Sequence, residues 1–207
     1  PDRGARARGN SSELTTDYSP HKYVITALVA DRPGVLNRIS GMFRRRGYNI
    51  ASLAVGQSEL PGLSRMTFVV EGDDTVVEQI TKNLHKLIDV VKVSDMTADM
   101  AVARELVLIK VRANVQNRSE IMQIVGIFRA NIIDVTSDSI IVEVAGDEEK
   151  IDSLQNLLRS FGIAEVMRTG TVAMRRGVIG AESLGPIDKR GDTTGQLRSG
   201  RGTAILI

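Results

Sequence analysis

The sequence predicts an α+β protein in which one β-α-β-β-α-β order occurs twice in tandem. Three observations carry this. Short runs of β-branched and apolar residues alternate with segments whose apolar residues recur at i, i+3, i+4 and i+7. Breaks rich in Gly, Pro, Asp and Asn separate most of these segments at close intervals. The series then repeats, and Gly41-Met42-Phe43-Arg44 of the first pass returns as Gly126-Ile127-Phe128-Arg129 in the second, as in a distant duplication.

In the first pass, residues 23–30 (YVITALVA) read as a buried strand. Asp31-Arg32-Pro33-Gly34 then breaks the chain. Proline fixes its own φ and pushes Arg32 out of the helical region, and Gly34 admits a close backbone approach. A helix over 35–46 follows, with Val35, Leu36, Ile39, Met42 and Phe43 on one face and Asn37, Arg38, Ser40 and Arg44 turned away. Arg44, Arg45 and Arg46 suit the negative end of its dipole, and Gly47 stops it. At its other end, unpaired N–H groups after Gly34 can hold a small carboxylate. Asn49 leads into a strand over 50–57, Pro61-Gly62 makes a turn, and a third strand spans 63–71. A helix over 75–87 carries Val76, Val77, Ile80, Leu84 and Leu87 on one face, and a strand over 90–95 closes the unit. This is the ferredoxin-like split βαβ order.

The second pass has strands over 105–113, 132–136, 139–145 and 163–168, with 171–174 extending or following the last. Its helices span 119–129, with Ile121, Ile124, Val125 and Phe128 inward, and 148–160, with Ile151, Leu154, Leu157 and Leu158 inward. Residues 96–103 are the expected linker. The domain plan is an N-terminal extension without ordered structure over 1–21, a first domain over 22–97, a second over 104–176 and a flexible Gly-rich tail over 177–207. The first strand–helix junction reads DRPGV and the second NVQNRSE, without Gly or Pro, so a backbone cradle belongs to the first half alone.

Composition removes several classes of function. The chain has no cysteine, which excludes disulfides, zinc–thiolate sites and cysteine nucleophiles. His21 and His85 are its only histidines, too few for a histidine metal site or a Ser-His-Asp triad. No nucleophile–base pair or acidic cluster appears, so no catalytic residue and no metal ligand is expected. The net charge of +2 is no nucleic-acid signature, and no apolar run is long enough to cross a bilayer as a helix.

The blocks DRPGVLNRISGMFRRRGYNIASLAVG, LSRMTFVVEGDD, LHKLIDVVKVSD, RELVLIKV, FRANIIDVTSDSIIVEVAGD and RTGTVAMRRG, in that order, resemble the regulatory small subunit of acetohydroxyacid synthase. The resemblance spans residues 22–176 and implies two ferredoxin-like βαββαβ domains, the first an ACT domain that pairs with a second copy and binds a branched-chain amino acid at the dimer interface. It further implies that Asp31 and the backbone at Gly34, Val35 and Leu36 hold the polar groups of that effector, with Asn49 and Ile50 contributed by the neighbouring subunit. Val35, Leu36 and Ile50 would line an apolar slot. The implied partner is the catalytic subunit, which carries thiamine diphosphate, Mg and FAD, whereas this chain has no cofactor of its own. Its implied role is to raise the partner's activity and to confer feedback inhibition by valine or another branched-chain amino acid. The implied location is the plastid stroma or the bacterial cytoplasm, with no membrane and no nucleic acid as partner.

Plainer readings stand beside these. Gly34 can also be read as a structural turn glycine alone and Asn49 as an ordinary turn residue, although the resemblance favours the ligand role for both, and 59–63 is read as a simple hairpin loop. Ferredoxin-like sheets also bind RNA, but they do so with exposed aromatic platforms, and aromatic residues are only 3% of this chain. An amino-acid-sensing transcriptional regulator would need a helix-turn-helix segment, which the sequence lacks.

Overall fold

The first β-α-β-β-α-β order folds into a four-stranded antiparallel sheet with both of its helices on one face. In chain order its elements are β1 (His21–Ala30), α1 (Val35–Arg46), β2 (Ile50–Gln57), β3 (Leu63–Gly72), α2 (Asp74–His85) and β4 (Val90–Asp95). The sheet order is β2-β3-β1-β4. This computed structural model describes residues 21–97 and 101–177. The expected extension and tail lie outside the described residues, apart from His21 and Gly177.

Alternation along β1 and β3 builds the core. Tyr23, Ile25, Ala27 and Val29 lie opposite or beside Met66, Phe68 and Val70, and all are buried against Val35, Ile39, Met42 and Phe43 of α1 and Val77, Ile80 and Leu84 of α2. The rings of Phe43 and Phe68 stack at 5.3 Å. Gly47 ends α1 at φ 71°, a left-handed conformation that suits glycine. The Tyr23 hydroxyl donates to Asp74 at 2.7 Å, and that bond holds the phenol pKa up at about 12.

The second unit repeats the plan with β5 (Ala101–Arg112), α3 (Arg118–Ile127), β6 (Asn131–Val135), β7 (Ser139–Gly146), α4 (Glu148–Leu158) and β8 (Ile163–Arg168), followed by β9 (Val172–Arg175). The sheet order β6-β7-β5-β8 matches that of the first unit. Val107, Ile109 and Val111 with Ile140, Val142 and Val144 form a separate core under Ile121, Val125, Ile151, Leu154 and Leu158. Leu157 departs from the expected stripe and is 50% exposed. It lies about 60° around α4 beyond Leu154, past the edge of the buried face. The segment expected as a linker is shorter than 96–103, because β5 begins at Ala101 and its first four residues pair with β9.

The units touch through β9 and the start of α4. Thr171 N–H donates to Ser52 Oγ at 3.0 Å, and Lys22 bonds Glu148. A Cβ at Gly170 would stand 2.7 Å from Ser52 Oγ, so only glycine permits that approach.

Candidate functional site

The turn between β1 and α1 is held by backbone bonds from two directions. Ala30 N–H donates to Asp89 O at 2.8 Å, and Asp31 N–H donates to Gly62 O at 2.8 Å. The chain then passes through Arg32 and Pro33 to Gly34, which has φ 88°. A Cβ at Gly34 would meet nothing within 4 Å, so the backbone conformation rather than crowding calls for glycine.

Gly34 is the N-cap of α1 and supplies no side chain to it, and no acidic residue occupies the first turn. Val35 N–H reaches Arg32 O at 3.4 Å and Arg38 N–H reaches Gly34 O at 3.0 Å, while the N–H groups of Leu36 and Asn37 have no acceptor among the described residues. The positive end of the helix dipole is thus open to an anion.

Asp31, Gly34 and Leu36 flank this opening in the chain and are exposed. Val35 adjoins them, but its side chain is 4% exposed and belongs to the core, so Leu36 is the exposed apolar residue of the first turn. Asn49 and Ile50 lie elsewhere. Ile50 opposes Val70 on β3, whereas Ala30 opposes Leu63, seven residues away along that strand. That offset is about 23 Å, so one chain by itself does not bring the two groups of expected site residues together.

The sequence reading missed Asp89. It is 2% exposed, in the turn before β4, and its carboxylate gathers two arginines. Arg32 Nε donates to Oδ1 at 2.8 Å, Arg32 Nη2 bonds the same oxygen, and Arg38 Nη1 bonds Oδ2. The available signal was a lone acid within the apolar run Leu87-Ile88-Asp89-Val90-Val91. A buried carboxylate needs partners, and these are the two cations that flank Gly34.

Other features are plainer. Arg44, Arg45 and Arg46 form the exposed end of α1, and His85 is exposed in the last turn of α2. Among the described residues no cluster of His, Asp and Glu has the arrangement to hold a metal, and no helix is long and apolar enough to cross a membrane. An open apolar groove of about 360 Å³ lies between the units, with Val55, Val102, Val172 and Met174 in its walls.

Comparisons with known proteins agree with this architecture. Residues 25–92 match a family model described as the AHAS small subunit-like ACT domain, which places the first unit in the ACT class. Residues 104–177 match the model for the small subunit of acetolactate synthase. The chain is 53% identical over 162 residues to a probable acetolactate synthase small subunit of Methanothermobacter thermautotrophicus, covering 78% of this chain and 96% of that protein. It is 48% identical over 155 residues to the acetolactate synthase small subunit of Mycobacterium leprae, covering 75% and 92%. The crystal structure of the small subunit from Thermotoga maritima superposes with a TM-score of 0.72 at 43% identity, covering 77% of this chain and 99% of that one. The chain belongs to the family of acetolactate (acetohydroxyacid) synthase small subunits.

Proposed function

We propose that this chain is the non-catalytic subunit that raises the activity of a thiamine-diphosphate-dependent acetohydroxyacid synthase and confers feedback inhibition by a branched-chain amino acid, with valine the first candidate. The observation that carries this is the open N-terminal end of α1 in an ACT unit. Gly34 leaves two N–H groups and the dipole free to take the effector's carboxylate, Asp31 stands beside them for its ammonium, and Leu36 offers apolar contact to its side chain.

Asn49 and Ile50 join this site if two copies pair through β2, the outer strand of the first sheet. Antiparallel pairing about a two-fold axis sets Ile50 of one chain near Gln57 of the other, at the end of the sheet where α1 begins. Effector bound between two such copies favours one arrangement of the pair, and the catalytic partner responds to that population shift. The relatives named above are archaeal and bacterial, which favours a cytoplasmic setting over the plastid.

Calorimetric titration of the isolated protein with L-valine tests the reading, with Gly34→Asp as control. Saturable binding that the variant loses supports both the role and the location. Valine sensitivity equal to wild type in the reconstituted Gly34→Asp enzyme would place the effector elsewhere.

A further inference from the structure

Helix starts favour acidic residues, because the dipole is positive there. The three other α-helices among the described residues follow that rule, with Asp73 and Asp74 at α2, Glu120 at α3 and Asp147, Glu148 and Glu149 at α4. The start of α1 inverts it. No acid lies in its first turn, Arg32 precedes it and Arg38 is its fourth residue. Both cations are held at this end by the buried carboxylate of Asp89. With Asp31 and Asp89 the four side chains carry no net charge, but two guanidinium groups still stand beside a helix end that is itself positive. Departures of this kind from the usual helix start concentrate at functional sites.

The way the arginines are held agrees. Asp89 is 2% exposed, but the two guanidinium side chains remain 58% and 53% exposed. Their inner N–H groups point to the carboxylate, whereas Arg32 Nη1 and Arg38 Nε and Nη2 have no acceptor among the described residues. Asp89 also accepts Ala30 N–H through its own carbonyl, so one residue fixes both the turn and the two cations. We propose that Asp89 is a positioning residue for the effector: it holds Arg32 and Arg38 at the start of α1 so that their outward N–H groups recognise the effector's carboxylate. This rests on the effector reading above and adds the means by which the site tells an amino acid from the same molecule without its carboxylate.

The test compares L-valine with L-valinamide, which keeps the side chain and the amine but has no carboxylate. Both are titrated into full-length wild type, Asp89→Asn, Arg32→Gln and Arg38→Gln. Wild type is expected to prefer valine, and each variant to weaken valine by about tenfold or more while valinamide changes little, so that the preference collapses. The two arginine variants alter exposed side chains and keep the test valid if Asp89→Asn fails to fold. A merely structural cluster would weaken both ligands equally or leave both unchanged, and either result overturns the proposal while the effector site stands. Wild type that binds neither valine, leucine nor isoleucine overturns the effector reading itself, and the proposal with it.

Discussion

One βαββαβ frame stands behind two different strand–helix junctions. In the first unit the chain enters α1 through Gly34 at φ 88°, with no side chain turned back on the helix and no acid in the first turn. In the second, side chains fill the corresponding turn. Asn114 Oδ1 accepts from the N–H groups of Gln116 and Asn117, both at 3.0 Å, and Asn117 Oδ1 accepts from Asn114 N–H at 2.7 Å. Arg118 Nη2 is engaged by the carbonyls of Thr136 and Ser137, and Glu120 places a negative charge in the first turn of α3. Neither helix start has a side-chain cap, so the contrast lies in the turn that precedes it and in the first-turn charge: α1 carries no acid there and α3 carries Glu120. Topology supplies the helix end, and a few junction residues decide how the turn is filled and what charge it presents.

The strongest way to break this comparison is to unfold one unit beneath its junction. Phe68→Ala should cost about 3–5 kcal/mol, since the fully buried ring stacks on Phe43. Because the two cores are separate clusters, hydrogen exchange should show lost protection in β1–β4 while β5–β8 keep theirs. Uniform loss would mean that the units unfold as one. Next in size is Gly34→Asp, which forces an L-residue into a left-handed conformation and sets a negative charge at the proposed effector site. L-valine should bind about 100-fold more weakly to it. Asn117→Asp at the second junction should leave valine affinity within about twofold, and an equal loss there would assign effector binding to both units.

The elements were legible because both periods are strong in this sequence. Helix α1 occupies the expected 35–46, with Gly47 as its stop, and β2, β4 and β8 span the expected residues. Contacts distant in sequence were not legible. The early start of β5 at Ala101 depends on pairing with β9, some seventy residues away, and the Ala-Val-Ala-Arg stretch has no alternation of its own. Likewise, Asp89 lies 57 residues from Arg32, and no local pattern announces that they meet. At the candidate site, the special backbone position of Gly34 was readable from a Pro-Gly break before a periodic run. That Asn49 and Ile50 stand at the far end of the sheet from Asp31 emerges only from the strand register.

Smaller changes sharpen the contrast between an open helix start and the capped ones. Asp147 accepts Lys150 N–H at 2.9 Å and Asp73 accepts Val76 N–H at 2.8 Å. Replacing either by Ala should cost about 1 kcal/mol in thermal or urea unfolding. Neither should alter valine affinity, since neither residue lines the turn before α1.

The smallest expected effect tests whether the two units act on each other at all. Lys22 of β1 bonds Glu148 at the start of α4, and both side chains are about half exposed. That hydrogen bond raises the Lys22 pKa. Burial opposes it, and the charges of Glu148, Asp152 and Glu71 reinforce it. A lysine whose pKa is higher folded than unfolded contributes stability that is fully present below its unfolded value of about 10.4 and is lost as pH rises through the folded value. Lys22→Ala should therefore lower stability at neutral pH by no more than about 1 kcal/mol, as for other exposed pairs, and added salt should shrink the difference. Once the pH has risen above the folded value, the gap between variant and wild type should close. A gap that persists at high salt and high pH would mean that Lys22 joins the units through packing of its aliphatic stem rather than through charge.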